Sequence, residues 1–88
     1  MANSPFEPKY QIFRDMLTRA RTNKGMLQSE VADKLGRNQA FVSKYERGER
    51  RIDLPEFLEI AEVLEIDVTA FVLDYTNQLR NARSDVKT

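Results

Sequence analysis

The stretch Gln28–Gly48, QSEVADKLGRNQAFVSKYERG, decides the fold, because it reads as two short helices joined at a glycine. In the first half Val31, Ala32 and Leu35 fall at i, i+1 and i+4. In the second, Val42 and Tyr45 fall at i and i+3, so each helix carries one apolar stripe and the two stripes must face each other. Gly36 stands where a helix C-cap needs positive φ, and Asn38 where the next helix needs an N-cap side chain. A corner of only about three residues forces the backbones together near Ala32, where a larger side chain would push the second helix away. Such a corner holds the second helix outward, which is how a protein reaches DNA bases.

The rest of the chain supplies supporting helices. Phe13, Leu17 and Ala20, flanked by Tyr10 and Met16, predict a helix over about Lys9–Asn23 that stops at Gly25. The hinge pair is expected at about Gln28–Leu35 and Gln39–Glu46. Asp53 with Glu56 three residues later resembles a capping box with Pro55 in the first turn, so a fourth helix starts near Leu54 and buries Leu54, Phe57, Leu58, Ala61 and Leu64. Asp67 can cap a fifth, whose Val68, Phe71, Val72, Tyr75 and Leu79 continue a stripe for about three turns. No stretch alternates with period two, and the class is all-α. Residues 1–8, with Ser4-Pro5 and Glu7-Pro8, are expected to form a mobile N-terminal arm, residues 9–80 the folded domain, and residues 81–88 a polar tail that frays.

Composition narrows the function. Eighty-eight residues make one domain with a modest core and no room for a deep catalytic cleft. The absence of Cys and His removes thiol and imidazole chemistry together with the usual zinc ligands, so a non-enzymatic protein without metal or cofactor is expected. No apolar run approaches the roughly 18 residues of a membrane span, and Met1 to Lys9 lacks the pattern of a signal peptide, so the expected location is cytoplasmic. The net charge of zero divides unevenly. Lys9 to Arg51 holds eleven basic and five acidic residues, a net +6; Ile52 to Leu79 holds seven acidic residues and no basic one, a net −7. A basic half can face phosphates while the acidic half turns away.

Gln28, Val31-Ala32, Leu35-Gly36, Gln39, Val42-Ser43, Tyr45-Glu46 and Gly48, followed by Leu58 to Leu64, resemble in order and spacing the phage repressor and Cro type helix-turn-helix family, also called the XRE family, from about Phe13 to Phe71. The resemblance implies a compact five-helix, lambda-repressor-like domain that binds operator DNA, commonly as a dimer, to regulate transcription. Three positions depart from the family pattern. Leu27 stands where Ser or Thr usually opens the second helix, leaving half of a capping box with Glu30; Arg37 replaces a frequently apolar residue; and Glu65 replaces a frequent Gly after the fourth helix.

Helix geometry gives the third helix its roles. With Val42 and Tyr45 inward, Asn38, Gln39, Ala40, Ser43 and Lys44 are the base-reading candidates. Gln39 leads them, because its amide can pair bidentately with the N6 and N7 edge of adenine. Phe41 has two readings, a core or staple residue, which is favoured, or a contact to thymine methyls. Gln28 matches a family position that bonds a phosphate at a helix start, and Arg37, Arg47, Arg50 and Arg51 flank the third helix as further phosphate contacts. Arg21 and Glu46 correspond to a family ion pair, and Arg21 lies beside Leu17 on the core-facing stripe. Val63 and Leu73 fall off the main stripes and are candidates for a homodimer seam. The function expected is a dimeric repressor or controller on double-stranded DNA. The alternative is a protein-interaction module, an antitoxin or adaptor that binds a protein partner and uses the helix-turn-helix as a scaffold.

Overall fold

Capping chemistry sets most of the helix boundaries in the computed structural model, which describes residues 7–87, with side chains to residue 82. Its helices are α1 (Pro8–Asn23), α2 (Gln28–Leu35), α3 (Gln39–Arg47), α4 (Leu54–Leu64) and α5 (Val68–Lys87), with no strand among the described residues. The chain is all-α, as its periodicity requires. Residues 1–6 of the expected arm lie outside the described residues. Of its last two residues, Glu7 stands at the N-cap of α1 and Pro8 opens the helix, where its missing N–H costs nothing.

The corner between α2 and α3 follows from its residues. Gly36 has φ of 71°, and the N–H groups of Gly36 and Arg37 return to the carbonyls of Asp33 (3.1 Å) and Ala32 (3.0 Å), closing the last turn of α2. A Cβ on Gly36 would meet nothing within 4 Å, so glycine is required here by the sign of φ and not by space. Two residues later the Asn38 carboxamide oxygen accepts the Phe41 N–H at 3.3 Å and starts α3. Ala32, 1% exposed, belongs to the same core cluster as Phe41, Val42 and Tyr45 of α3.

Leu17, Val31, Ala32, Phe41, Val42, Tyr45, Phe57, Ile60 and Leu64 form the core. Beside it Phe13 acts as an aromatic hub, with ring centroids 5.6 Å from Tyr10, 5.5 Å from Phe57, 6.0 Å from Phe71 and 5.9 Å from Tyr75. These edge-on and tilted contacts tie α1 to α4 and α5. The Tyr75 hydroxyl adds a bond to the Lys9 carbonyl at 2.9 Å.

The acidic half departs from the expected pattern. On α4 the buried set is Phe57, Ile60, Ala61 and Leu64, whereas Leu54 and Leu58 are exposed. Apolar residues surround so much of this helix that period alone does not choose a face. Docking against α2 turns Ile60 inward. Val72 on α5 is likewise exposed, and Val63, taken as a free seam residue, packs half-buried against the core; Leu73 does stand in solvent. The α5 backbone stays helical to Lys87, well past Asn81 where fraying was expected. At the end of α4, Glu65 adopts the left-handed conformation at φ of 57°, with Ile66 N–H donating to the Ala61 carbonyl at 2.8 Å. The departure from glycine therefore leaves the shape of the turn intact and stores strain in it.

Candidate nucleic-acid interface

α3 divides cleanly into two sides. Phe41, Val42 and Tyr45 enter the core, while Asn38, Gln39, Ala40, Lys44 and Arg47 are exposed. Phe41, 7% exposed, is a core residue, so its alternative reading as a contact to thymine methyls falls. Ser43 is half-buried, and its hydroxyl accepts a bond from the Arg47 guanidinium one turn on, which turns this candidate base reader toward a neighbour on its own helix.

Beneath the exposed side runs a chain of hydrogen bonds from α1 to the tip of α3. Arg21 grips Glu46 with Nε to Oε2 at 2.7 Å and Nη2 to Oε1 at 3.0 Å, and its Nη1 donates to the Met26 carbonyl at 2.9 Å. Both side chains are largely sealed from water, 14% and 7% exposed. The bond to Glu46 raises the Arg21 pKa above its ordinary value, so the guanidinium stays charged. The Arg14 guanidinium reaches the Glu46 main-chain carbonyl at 2.7 Å and fixes the same residue from a second direction.

Gln28 joins this network through its side chain, donating Nε2 to Glu46 Oε1 at 2.9 Å, while its own Oε1 accepts from Gln39 Nε2 at 3.4 Å. The polarity of this relay follows from Glu46. An ionised carboxylate only accepts, so Gln28 must turn its amide N–H toward it and its carbonyl toward Gln39. Gln39 must then spend one N–H on Gln28, which leaves its Oε1 and second N–H for other partners.

The flanking arginines fall into three groups, one on each of three carboxylates. Arg37 and Arg50 lie over the Phe41 ring, 4.2 and 4.8 Å from its centroid, and both reach Glu56, Arg50 through a fork at 2.9 and 3.1 Å and Arg37 at 3.3 Å. Glu56 also accepts the Asp53 N–H at 3.0 Å, completing the capping box of α4. The Arg50 fork is the chief reason its carboxyl is held down at about 2. Arg51 lies 4.6 Å over the Tyr10 ring and pairs with Glu7. Tyr10 holds the segment after α3 with its hydroxyl, donating to the Arg50 carbonyl (3.3 Å) and accepting from Ile52 N–H (3.2 Å); burial raises its pKa. Arg47 forks onto Glu49 at 2.9 and 3.1 Å.

The structure thus joins Arg21, Glu46, Gln28 and Gln39 in one network and Arg37 with Arg50 in another. Arg47 and Arg51 are held apart from both, each on its own carboxylate. Tyr10, Glu49 and Glu56 were not anticipated as parts of this surface. The Asp53–Glu56 spacing announced the cap, but nothing local announced that the same carboxylate would clamp two arginines.

Two short helices at a glycine corner, the second exposing a polar edge above a charged support, define a helix-turn-helix domain. Residues 17–71, more than half of the chain, match the family model described as Helix-turn-helix. The chain belongs to the helix-turn-helix family of the Cro and repressor type, a family of DNA-binding transcription regulators. Comparison with curated proteins yields no matching relative. Among the described residues no helix is long and apolar enough to cross a membrane.

Proposed function

We propose that the chain reads operator DNA with α3 in the major groove, as a dimeric repressor or controller acting in the cytoplasm. The observation that carries this reading is Gln39, exposed at the start of α3 with its amide turned by Gln28. The acceptor and donor left to Gln39 are the pair that adenine requires, since N6–H donates and N7 accepts. Asn38, Ala40 and Lys44 lie beside it for neighbouring bases, with Ser43 able to join them by releasing Arg47. Gln28 sits in the first turn of α2, where free N–H groups favour a phosphate, and Arg37, Arg47, Arg50 and Arg51 rim α3.

One recognition helix covers few base pairs, so a second copy on a half-site about 34 Å away supplies the remaining affinity. Leu73, exposed on the acidic half, is the first candidate for that seam, with Val63 contributing only its accessible edge.

Selection of bound fragments from a random duplex library tests the proposal and returns half-site and spacing together. Gln39→Ala should then relax preference at one base pair by about 1–3 kcal/mol. Affinity should fall steeply with salt. Weak binding that is flat in salt would instead mark the domain as a scaffold for a protein partner, and equal loss on all sequences for Gln39→Ala would remove its reading role.

A further inference from the structure

The arginines around α3 share a property that their number alone conceals: each already holds a carboxylate of its own chain. Arg47 carries Glu49, Arg50 and Arg37 share Glu56, and Arg51 carries Glu7. Arg47 and Arg50 engage theirs through two N–H groups apiece, the same planar fork by which a guanidinium grips a phosphate. The rim that would meet DNA is therefore occupied by groups of a phosphate's sign and geometry.

These carboxylates differ in what else they do. Glu56 caps α4, and Glu7 stands at the start of α1. Glu49 has no such duty. Its side chain is 52% exposed, its carboxylate bonds Arg47 among the described residues, and it follows Gly48 just beyond the end of α3. Arg47 in turn keeps the Glu49 carboxyl below its ordinary pKa, so the charge persists at neutral pH. Exposed pairs of this kind add little to stability, so the fold does not require the contact.

We infer that Glu49 is an affinity-limiting residue, an internal stand-in for a backbone phosphate on Arg47 that docking onto duplex DNA must displace. The inference rests on the reading of α3 as the DNA-facing helix. Its physical content is an exchange. When a phosphate takes the Arg47 fork, the carboxylate it expels stays nearby as an uncompensated negative charge beside the duplex. The contact then yields less than a free arginine would, and it does so on every sequence, because phosphate contacts position without specifying.

The test is duplex binding by the full chain across a salt series, using a mixed-sequence duplex and the parent, Glu49→Gln, Arg47→Ala and the double variant. Glu49→Gln keeps the shape and removes the charge. It should raise affinity roughly two- to fivefold, and steepen the slope of log K against log salt by about one. In the Arg47→Ala background the gain should vanish, and Glu59→Gln, on the exposed side of α4, should change nothing. An unchanged Glu49→Gln overturns the inference while leaving the DNA reading in place, provided the parent binds with a steep slope. An equal gain with and without Arg47 also overturns it, since that is bulk charge removal. A parent that binds no duplex at any salt overturns the DNA reading and this inference with it.

Discussion

Replacing Arg21 by alanine should cost this domain much of its stability, and for a reason that a second substitution can isolate. In the parent Arg21 makes two bonds to the Glu46 carboxylate and one to the Met26 carbonyl, with both charged groups almost out of water. Alanine removes all three and strands the buried Glu46 carboxylate, which keeps the bond from the Gln28 amide. Breaking one half of a buried pair typically costs about 3–5 kcal/mol. The slight exposure of Arg21 favours the lower end, about 3 kcal/mol. Native domains hold roughly 5–15 kcal/mol in total, and each kcal/mol moves the melting temperature of a domain this size by about 4–8 °C, so a fall of at least about 12 °C is expected. Urea titration followed by far-UV circular dichroism measures the loss directly. The double variant Arg21→Met with Glu46→Leu should recover most of it, because an apolar pair of similar volume removes the stranded charge. A double variant no more stable than Arg21→Ala would refute the reasoning and make lost packing the cause. So would an Arg21→Ala protein as stable as the parent.

Smaller changes test the helix ends and the rim. Leu27 is exposed, and its N–H is held by Glu30 Oε1 at 2.7 Å while its own side chain cannot cap, so Leu27→Ser should complete the box and stabilise by roughly 0.5–2 kcal/mol; an unchanged melting temperature would reject the missing cap. Glu65→Gly should relieve the left-handed strain, worth about 1–2 kcal/mol, against loss of the exposed Lys24 pair at 2.8 Å, and a net destabilisation in thermal melts would show that the pair outweighs the strain. The folded-state pKa of Glu56, about 2, lies below the ordinary 4.5, so its stabilisation is full above about 4.5 and drains away as the pH falls toward 2. Glu56→Gln should therefore flatten the stability profile of the parent across that window, and parallel profiles for the two proteins would show that Glu56 is not responsible.

Much of this architecture was legible from residues near one another in the chain. Gly36 and Gly48 announce turns because positive φ suits glycine, Asn38 and Asp53 announce helix starts because their side chains reach an N–H three residues on, and the end of α2 and both ends of α3 follow from these marks. The exposure of Gln39 was legible too, since Val42 and Tyr45 fix which way α3 must turn. All of these are local properties, carried by dihedral preference and helical period. Folding in three dimensions decided the rest. Period could not choose between Leu54 with Leu58 and Ile60 on a helix apolar around most of its circumference; contact with α2 did. Nor could it say that Glu46 would orient Gln28 across 18 residues, that Glu56 would reach Arg37 across 19, or that α5 would run helical to Lys87. A carboxylate has no sequence-distance preference for its cation, and it pairs with whichever one the packed helices bring within reach.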